Sequence, residues 1–226
     1  MITDSLSQRR SVHKNRRRKM NMKSLFSFTA AAVITITASA GDAWKLPAPQ
    51  KSGGMPVMQA LNERSTKRAY TKEKLSEQQI SDLLWAANGV NRADGRRTAP
   101  SAVNRQEIDL YLLTDKGAFK YDASGNALIK VNDGDFRKWA GKFASPVYVV
   151  LVADMKKAAS GHYARIDSGY VSQNIYIYCA SSGLGTCAIG SFDRIKGSGK
   201  GKKLAEALKL TSDQKVLLTH SVGAVK

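Results

Sequence analysis

In the run Arg64-Ser65-Thr66-Lys67-Arg68-Ala69-Tyr70, cations and hydroxyls alternate and an aromatic closes the segment. In extended backbone, alternate side chains share a face, so Arg64, Thr66 and Arg68 point the same way. Convergent guanidinium and hydroxyl donors with positive charge suit a phosphate. The same residue types also make an ordinary exposed basic loop, and the types alone do not choose between the two. A second polar cluster is Pro100-Ser101-Ala102-Val103-Asn104-Arg105-Gln106, in which the Asn104 amide offers a donor and an acceptor together. A third is the small-residue turn Gly190-Ser191. No Ser-His-Asp or Cys-His arrangement stands out, nor a phosphate-cradling glycine loop. Metal-ligand spacing is also lacking, because His162 and His220 are the only histidines after the basic leader and stand far apart.

The element that must position these clusters precedes Gly190. Ile166, Tyr170, Gln173, Ile177, Ala180 and Leu184 recur at three- and four-residue steps, and Val171, Ile175, Tyr178 and Cys179 make most of the opposite face apolar. That pattern predicts a helix buried all round. It stops at Gly183-Leu184-Gly185, where Gly183 takes the left-handed conformation, and residues 186–189 run extended into Gly190-Ser191-Phe192. Further upstream, Pro56 opens a short helix through Glu63, with Val57, Leu61 and Met58 or Ala60 inward. Ser76-Glu77-Gln78-Gln79 is a capping-box start for a helix containing Ile80, Leu83, Leu84, Ala86 and Ala87 and ended by Asn88-Gly89. Trp85 reads as packing. Residues 109–114, 118–121 and 127–131 form an antiparallel meander, and residues 146–153 a strand buried on both faces. Residues 136–142 and 201–210 read as short helices, the second with Leu204, Ala207 and Leu208 inward. Residues 215–219 make a last strand, continued by His220-Ser221-Val222-Gly223.

A chain of 226 residues with 42% hydrophobic content can bury its own core without metal or disulfide staples. The formal charge of +18 is partly local. Eight basic residues and one acid precede position 41, which leaves 28 basic and 17 acidic residues, a balance of +11, for residues 41–226. Those charges are scattered, as on a solvated basic surface, and specify no nucleic acid. Residues 24–40 are apolar for about 14 residues and end in Ala38-Ser39-Ala40, a small-x-small cleavage pattern. The run is too short to span a bilayer. The reading is therefore a basic leader plus signal peptide over residues 1–40, cleaved near Ala40, a linker over 41–54 and one domain over 55–226, exported to the periplasm. Start at Met20 or Met22, or twin-arginine export through Arg9-Arg10, are the open alternatives for the leader. Cys179 and Cys187 read as small buried hydrophobes ahead of a disulfide pair.

Four motifs in order resemble the flavin-dependent nitroreductase family: Arg64-x-Thr66-x-Arg68-x-Tyr70, Pro100-Ser101-x-x-Asn104-x-Gln106, the Asp167-Ser168-Gly169 helix leading to Gly183-Leu184-Gly185, and the final strand around His220. The resemblance covers about residues 56–226 and implies an α+β fold, a three-layer α/β/α architecture with a mostly antiparallel sheet around a central buried helix. It implies FMN as cofactor and an intertwined homodimer with FMN in the interface. By carry-over, Arg64, Ser65 and Thr66 serve the phosphate and ribityl end, and Arg68 faces the pyrimidine edge, where a fixed cation stabilises the charge of reduced flavin. Asn104 meets the carbonyl and N3–H edge, the amides of Gly190 and Ser191 face N5 and the C4 carbonyl, and Lys226 stands where relatives place a phosphate contact. No side chain is assigned a catalytic role, because flavin N5 carries the chemistry. Glu107-Ile108 departs from the Pro-Trp common in relatives. The implied activity is FMN-dependent reduction of a small molecule such as a nitro compound or quinone, with NAD(P)H or another donor. An azoline-oxidising dehydrogenase and, in another class, an exported basic binding protein are the alternatives.

Overall fold

The computed structural model describes residues 43–190 and 199–226. The expected leader and signal peptide, and Ser191, lie outside the described residues. Among those described, no helix is long and apolar enough to cross a membrane.

Among the described residues, seven strands form one sheet in the order β1-β4-β3-β2-β5-β7-β6. They are β1 (Ala43–Lys45), β2 (Ile108–Leu113), β3 (Gly117–Asp122), β4 (Ala127–Asp133), β5 (Val147–Asp154), β6 (Leu184–Ile189) and β7 (Gln214–Ala224). Every neighbouring pair is antiparallel. Within β5, Val147 through Ala153 are all buried, because helices cover both faces of this middle strand. On one face α2 (Glu77–Asn88) and α4 (Gly161–Ser181) pack Leu84, Val171 and Ile175 against Leu110, Leu112, Val149 and Leu151. On the other, α3 (Arg137–Ala140) and α5 (Gly199–Ala207) pack Ala140 and Leu204 against Tyr148, Val150 and Val152. The result is the expected α+β, three-layer arrangement.

Local signals hold where backbone chemistry sets them. Ser76 accepts from the Gln79 N–H while the Gln79 side chain accepts from the Ser76 N–H, a complete capping box. Gly183 has φ +69°, the left-handed conformation that ends α4 and turns the chain into β6. Trp85 donates its indole N–H to the Val90 carbonyl (3.0 Å), a packing role. Both cysteines are buried and unpaired.

Three expectations need correction. The segment expected to link, residues 41–54, contains β1, which pairs with β4 and carries the chain into buried Leu46. Its three-residue length gave no readable period. The helix α4 is not buried all round: Ile166, Tyr170 and Gln173 are exposed, and only the Val171-Ile175-Cys179 side meets the core. Likewise α1 (Val57–Glu63) buries only Ala60, leaving Val57, Met58 and Leu61 outside. Both helices have apolar residues on two sides, and one chain supplies a sheet to cover only one of them.

Candidate functional site

The helix α4 supports the polar clusters at successive levels. Asp167 lies near its start, Tyr176 about 14 Å further along the axis at 1.5 Å per residue, and Gly183 just past its end. Tyr176 gathers the first cluster. Its hydroxyl lies 3.2 Å from Thr66 Oγ1 and accepts the Ala188 N–H at 3.0 Å. The Arg64 guanidinium stands over its ring, 5.4 Å from the centroid, a cation–π contact. Behind Tyr176, at 5.2 Å between ring centroids, is His220. This imidazole is fully buried, with Nε2 2.8 Å from Ser172 Oγ and Nδ1 2.9 Å from Thr186 Oγ1. Burial pushes its pKa down to about 3, so the ring is neutral.

The backbone of the cluster is laid against the start of β6 and the end of β7. The Lys67 N–H donates to the Thr186 carbonyl (3.0 Å), the Thr71 N–H to the Ala224 carbonyl (2.9 Å), and Tyr70 bridges to Val225. The Tyr70 hydroxyl donates to the Lys67 carbonyl at 2.6 Å and lies 2.7 Å from Ser221 Oγ. Burial pushes this phenol well above its usual pKa, which keeps it a donor. The close approach depends on Gly185: a Cβ there would fall 2.8 Å from Lys67 Cβ and 2.9 Å from Val225 Cγ2. What opens beside the cluster is a cleft of about 200 Å³ lined by Glu63, Ser65, Lys67, Tyr176, Thr186 and Val225. Glu63 accepts from the Gln59 amide (2.9 Å), while Ser65, Lys67 and Arg68 are exposed.

The Pro100 to Gln106 cluster forms a strained turn. Ala102–Asn104 is a single 3₁₀ turn in which Val103 and Asn104 have φ of 46° and 55°, and Gln106 follows at 50°. Ser101 Oγ accepts the Gln106 N–H (2.9 Å). The Gln106 side chain donates to Asn104 Oδ1 (3.1 Å) and accepts from Arg97 Nε (3.1 Å). The Ala102 N–H donates to Asp167 Oδ2 at 2.8 Å, which fixes the turn to α4. The motif residues Ser101 and Gln106 thus shape the backbone, and Asn104 is presented at the surface.

Arg64 and Thr66 meet at Tyr176 with Ser65 between them, whereas the Lys226 N–H reaches the other end of the segment, at the Ala69 carbonyl (3.4 Å). Lys226 itself lines a second cleft of about 840 Å³, together with Tyr70, Arg137, Lys142 and Phe143. Gly190, exposed, follows β6 and lies four residues past Thr186, roughly 13 Å at strand rise. Among the described residues no hydrogen bond joins the three clusters directly; α4 and β6 connect them. Sequence reasoning missed Tyr176, whose signal was a phenol where the apolar pattern needed only a ring. It also missed Asp167 as the anchor of the Asn104 turn, since a carboxylate inside a buried helix has to find donors.

Comparison with known proteins bears on the family and the fold. The model of the nitroreductase family matches residues 61–224. A protein of Ralstonia eutropha named as a nitroreductase superposes with a TM-score of 0.74 at 31% identity, over 83% of this chain and 91% of that one. A protein of Methanocaldococcus jannaschii, also named as a nitroreductase, is 24% identical over 152 residues, 58% of this chain and 77% of its own length. A nitroreductase structure from Desulfovibrio desulfuricans, in complex with FMN, shares the fold at 18% identity and a TM-score of 0.56, covering 76% of this chain and 88% of that one. With most of the domain matched in sequence and in fold, the chain belongs to the nitroreductase family of oxidoreductases.

Proposed function

We propose that this protein is an FMN-dependent oxidoreductase that passes reducing equivalents between a donor, NAD(P)H or another, and a small acceptor such as a nitro compound or quinone. The observation that carries this reading is the gathering of Arg64 and Thr66 by Tyr176, beside the strand that leads to Gly190. The residues fit the cofactor: exposed Ser65 and Lys67 next to half-buried Arg64 and Thr66 offer hydroxyls and cations to a phosphate, and Glu63, which also lines the cleft, is engaged by Gln59. The FMN complex of the Desulfovibrio relative supports the same assignment. Bound FMN supplies hydride chemistry that no side chain here provides. Arg64, Ser65 and Thr66 hold the phosphate and ribityl end, with Lys226 as a further phosphate cation. Arg68 holds negative charge at the pyrimidine edge, Asn104 reads the carbonyl and N3–H edge, and the amides of Gly190 and Ser191 orient the ring. With an export signature at residues 24–40, the donor is one available outside the cytoplasm, or the reaction runs as a dehydrogenation.

Purified protein is expected to be yellow, and anaerobic titration with NADH, NADPH and dithionite identifies its donor. Arg68→Ala is expected to lose most of the bound flavin, since a charge-assisted hydrogen bond contributes about 1.5–3 kcal/mol. A colourless wild type that takes up no added FMN would defeat this reading.

A second copy of the chain covers the outward apolar residues Val57, Met58 and Leu61 of α1 and Ile166 and Tyr170 of α4. Sedimentation is therefore expected to give twice the protomer mass, and Met58→Lys, at a residue 73% exposed in the single chain, is expected to shift the population to monomer.

A further inference from the structure

The turn that presents Asn104 is held in a shape its own backbone resists. Val103, Asn104 and Gln106 all have positive φ, and a β-branched residue such as Val103 disfavours that region strongly. Such strain persists only where the surroundings hold it. Two of the ties are the Ser101–Gln106 hydrogen bond and the bond from the Ala102 N–H to Asp167 Oδ2.

The third feature is Glu107, the residue that leads the turn into β2. It is 1% exposed, and neither of its carboxyl oxygens meets a donor among the described residues. The group that acts on it is the carboxyl of Asp167, itself 2% exposed and already tied to the turn through the Ala102 N–H. Two ionised carboxylates do not coexist in such a place, because each lacks water and repels the other. One proton between them removes both problems, giving an O–H donor to one group and a partner to the other.

We infer that Glu107 and Asp167 share one proton, with Glu107 donating to Asp167, and that this buried acid pair is the clasp that holds the Asn104 turn in its binding shape. Glu107 is a positioning residue: it acts on the flavin edge through the turn and touches no reacting atom. The consequence for cofactor binding rests on the FMN reading above; the shared proton does not.

Among the described residues, Arg105 of the turn is exposed, and the charged groups on the flanking elements have other partners. Asp109 on β2 pairs with Lys120 (2.7 Å), and Asp154 at the end of β5 with Lys157 (3.7 Å). Arg97, in the preceding loop, donates to Gln106 Oε1 and to the Asn88 carbonyl. On α4, Arg165 reaches back to the Gly161 carbonyl. Among the described residues, Asp167 is the charged group that acts on Glu107. Burial, with Asp167 adding to it, pushes the Glu107 carboxyl up to about 7. The pair therefore holds its proton in mild acid and gives it up to solvent as the pH rises through the neutral range. Above that, two buried negative charges push the turn off α4.

The test uses the full protein in two measurements. Infrared spectroscopy across pH should show a carboxylic-acid C=O band at about pH 6 that fades toward about pH 9 and is missing in Glu107→Gln. In parallel, wild-type affinity for FMN should fall about tenfold between about pH 6 and about pH 9, a slope of up to one proton. Glu107→Gln keeps a donor toward Asp167 and does not ionise, so its FMN affinity should stay level over the same range. Glu107→Ala, which has no donor, should bind weakly at every pH. Should Glu107→Gln not fold, Asp167→Asn serves instead: its amide donates to Glu107, so the acid band should fade at lower pH than in wild type. The inference is overturned if wild type has no such band at about pH 6, or if Glu107→Gln loses FMN affinity in parallel with wild type. A wild type that binds no FMN at any pH defeats the cofactor reading alone, and the infrared band then decides the shared proton by itself.

Discussion

Acidification is expected to destabilise this protein through His220. The imidazole is fully buried between Ser172 and Thr186, and its pKa falls from an ordinary 6.5 to about 3. In the unfolded chain the same ring takes up a proton below about pH 6.5, so between about pH 6.5 and about pH 3 the unfolded state binds more protons and stability falls with the pH. The stabilising contribution is complete above about pH 6.5 and is lost progressively below it. By about pH 4 the loss from this one group is about 3 kcal/mol, a large part of the stability of a typical domain. Glu107 works in the opposite sense. Its raised pKa favours the folded state as the pH drops from about 7 to about 4.5, which offsets most of the histidine effect over that range and leaves it visible below about pH 4.5. Urea unfolding across pH, comparing wild type with His220→Gln and repeating the pair in a Glu107→Gln background, separates the two. In the Glu107→Gln background the expected result is a stability curve that falls below about pH 6 with His220 present and is flatter without it. Equal slopes would mean that the imidazole is not held neutral in the folded state.

The second large effect is expected from a single methyl group at Gly185. Its Cβ would press on Lys67 Cβ at 2.8 Å and on Val225 Cγ2 at 2.9 Å. The first of these atoms is at the base of a side chain, so the Arg64–Tyr70 segment itself has to move away from β6. The segment is held at Lys67 by one hydrogen bond to Thr186, and at Tyr70 by the bridge to Val225 and the bonds of its hydroxyl. Displacement therefore falls on Ser65, Thr66 and Lys67, next to the cleft. Overpacking of this kind costs about 1–3 kcal/mol. Taken from flavin affinity, that is a loss of roughly 5- to 150-fold in Gly185→Ala, measured by titration of FMN. The core is built elsewhere, by Leu83, Leu84, Leu112, Val149 and Leu151, so the thermal transition should move far less than the binding constant. Unchanged FMN affinity in Gly185→Ala would show that the segment's distance from β6 does not set the site.

Much of the scaffold was legible because short-range chemistry wrote it. Ser76 with Gln79 announced the start of α2 and Gly183 the end of α4, since each solves a local backbone problem that only a few residue types solve. The run 146–153 announced a central strand because it has no polar face to turn to water. The roles of Ser101 and Gln106 within their motif were less legible, because their partners are the main chain of the turn and Arg97 rather than a pattern in the sequence.

By itself the sequence determined the order of helices and strands from α1 onward, the three polar clusters and the helix that stands between them. It did so because hydrophobic period, caps and glycine stops act over a few residues. Only the tertiary structure decided which apolar faces the chain covers for itself. Val57, Met58, Ile166 and Tyr170 satisfy the same periodicity as their buried neighbours, and periodicity records that a side chain is apolar without saying which surface meets it. The same holds for the polar interior. That Tyr176 gathers Arg64 and Thr66, that His220 is buried between Ser172 and Thr186 and that the Glu107 carboxyl is buried without a donor are facts about residues distant in the chain, and a side chain's charge and partners are set by whatever the fold places a few ångströms away.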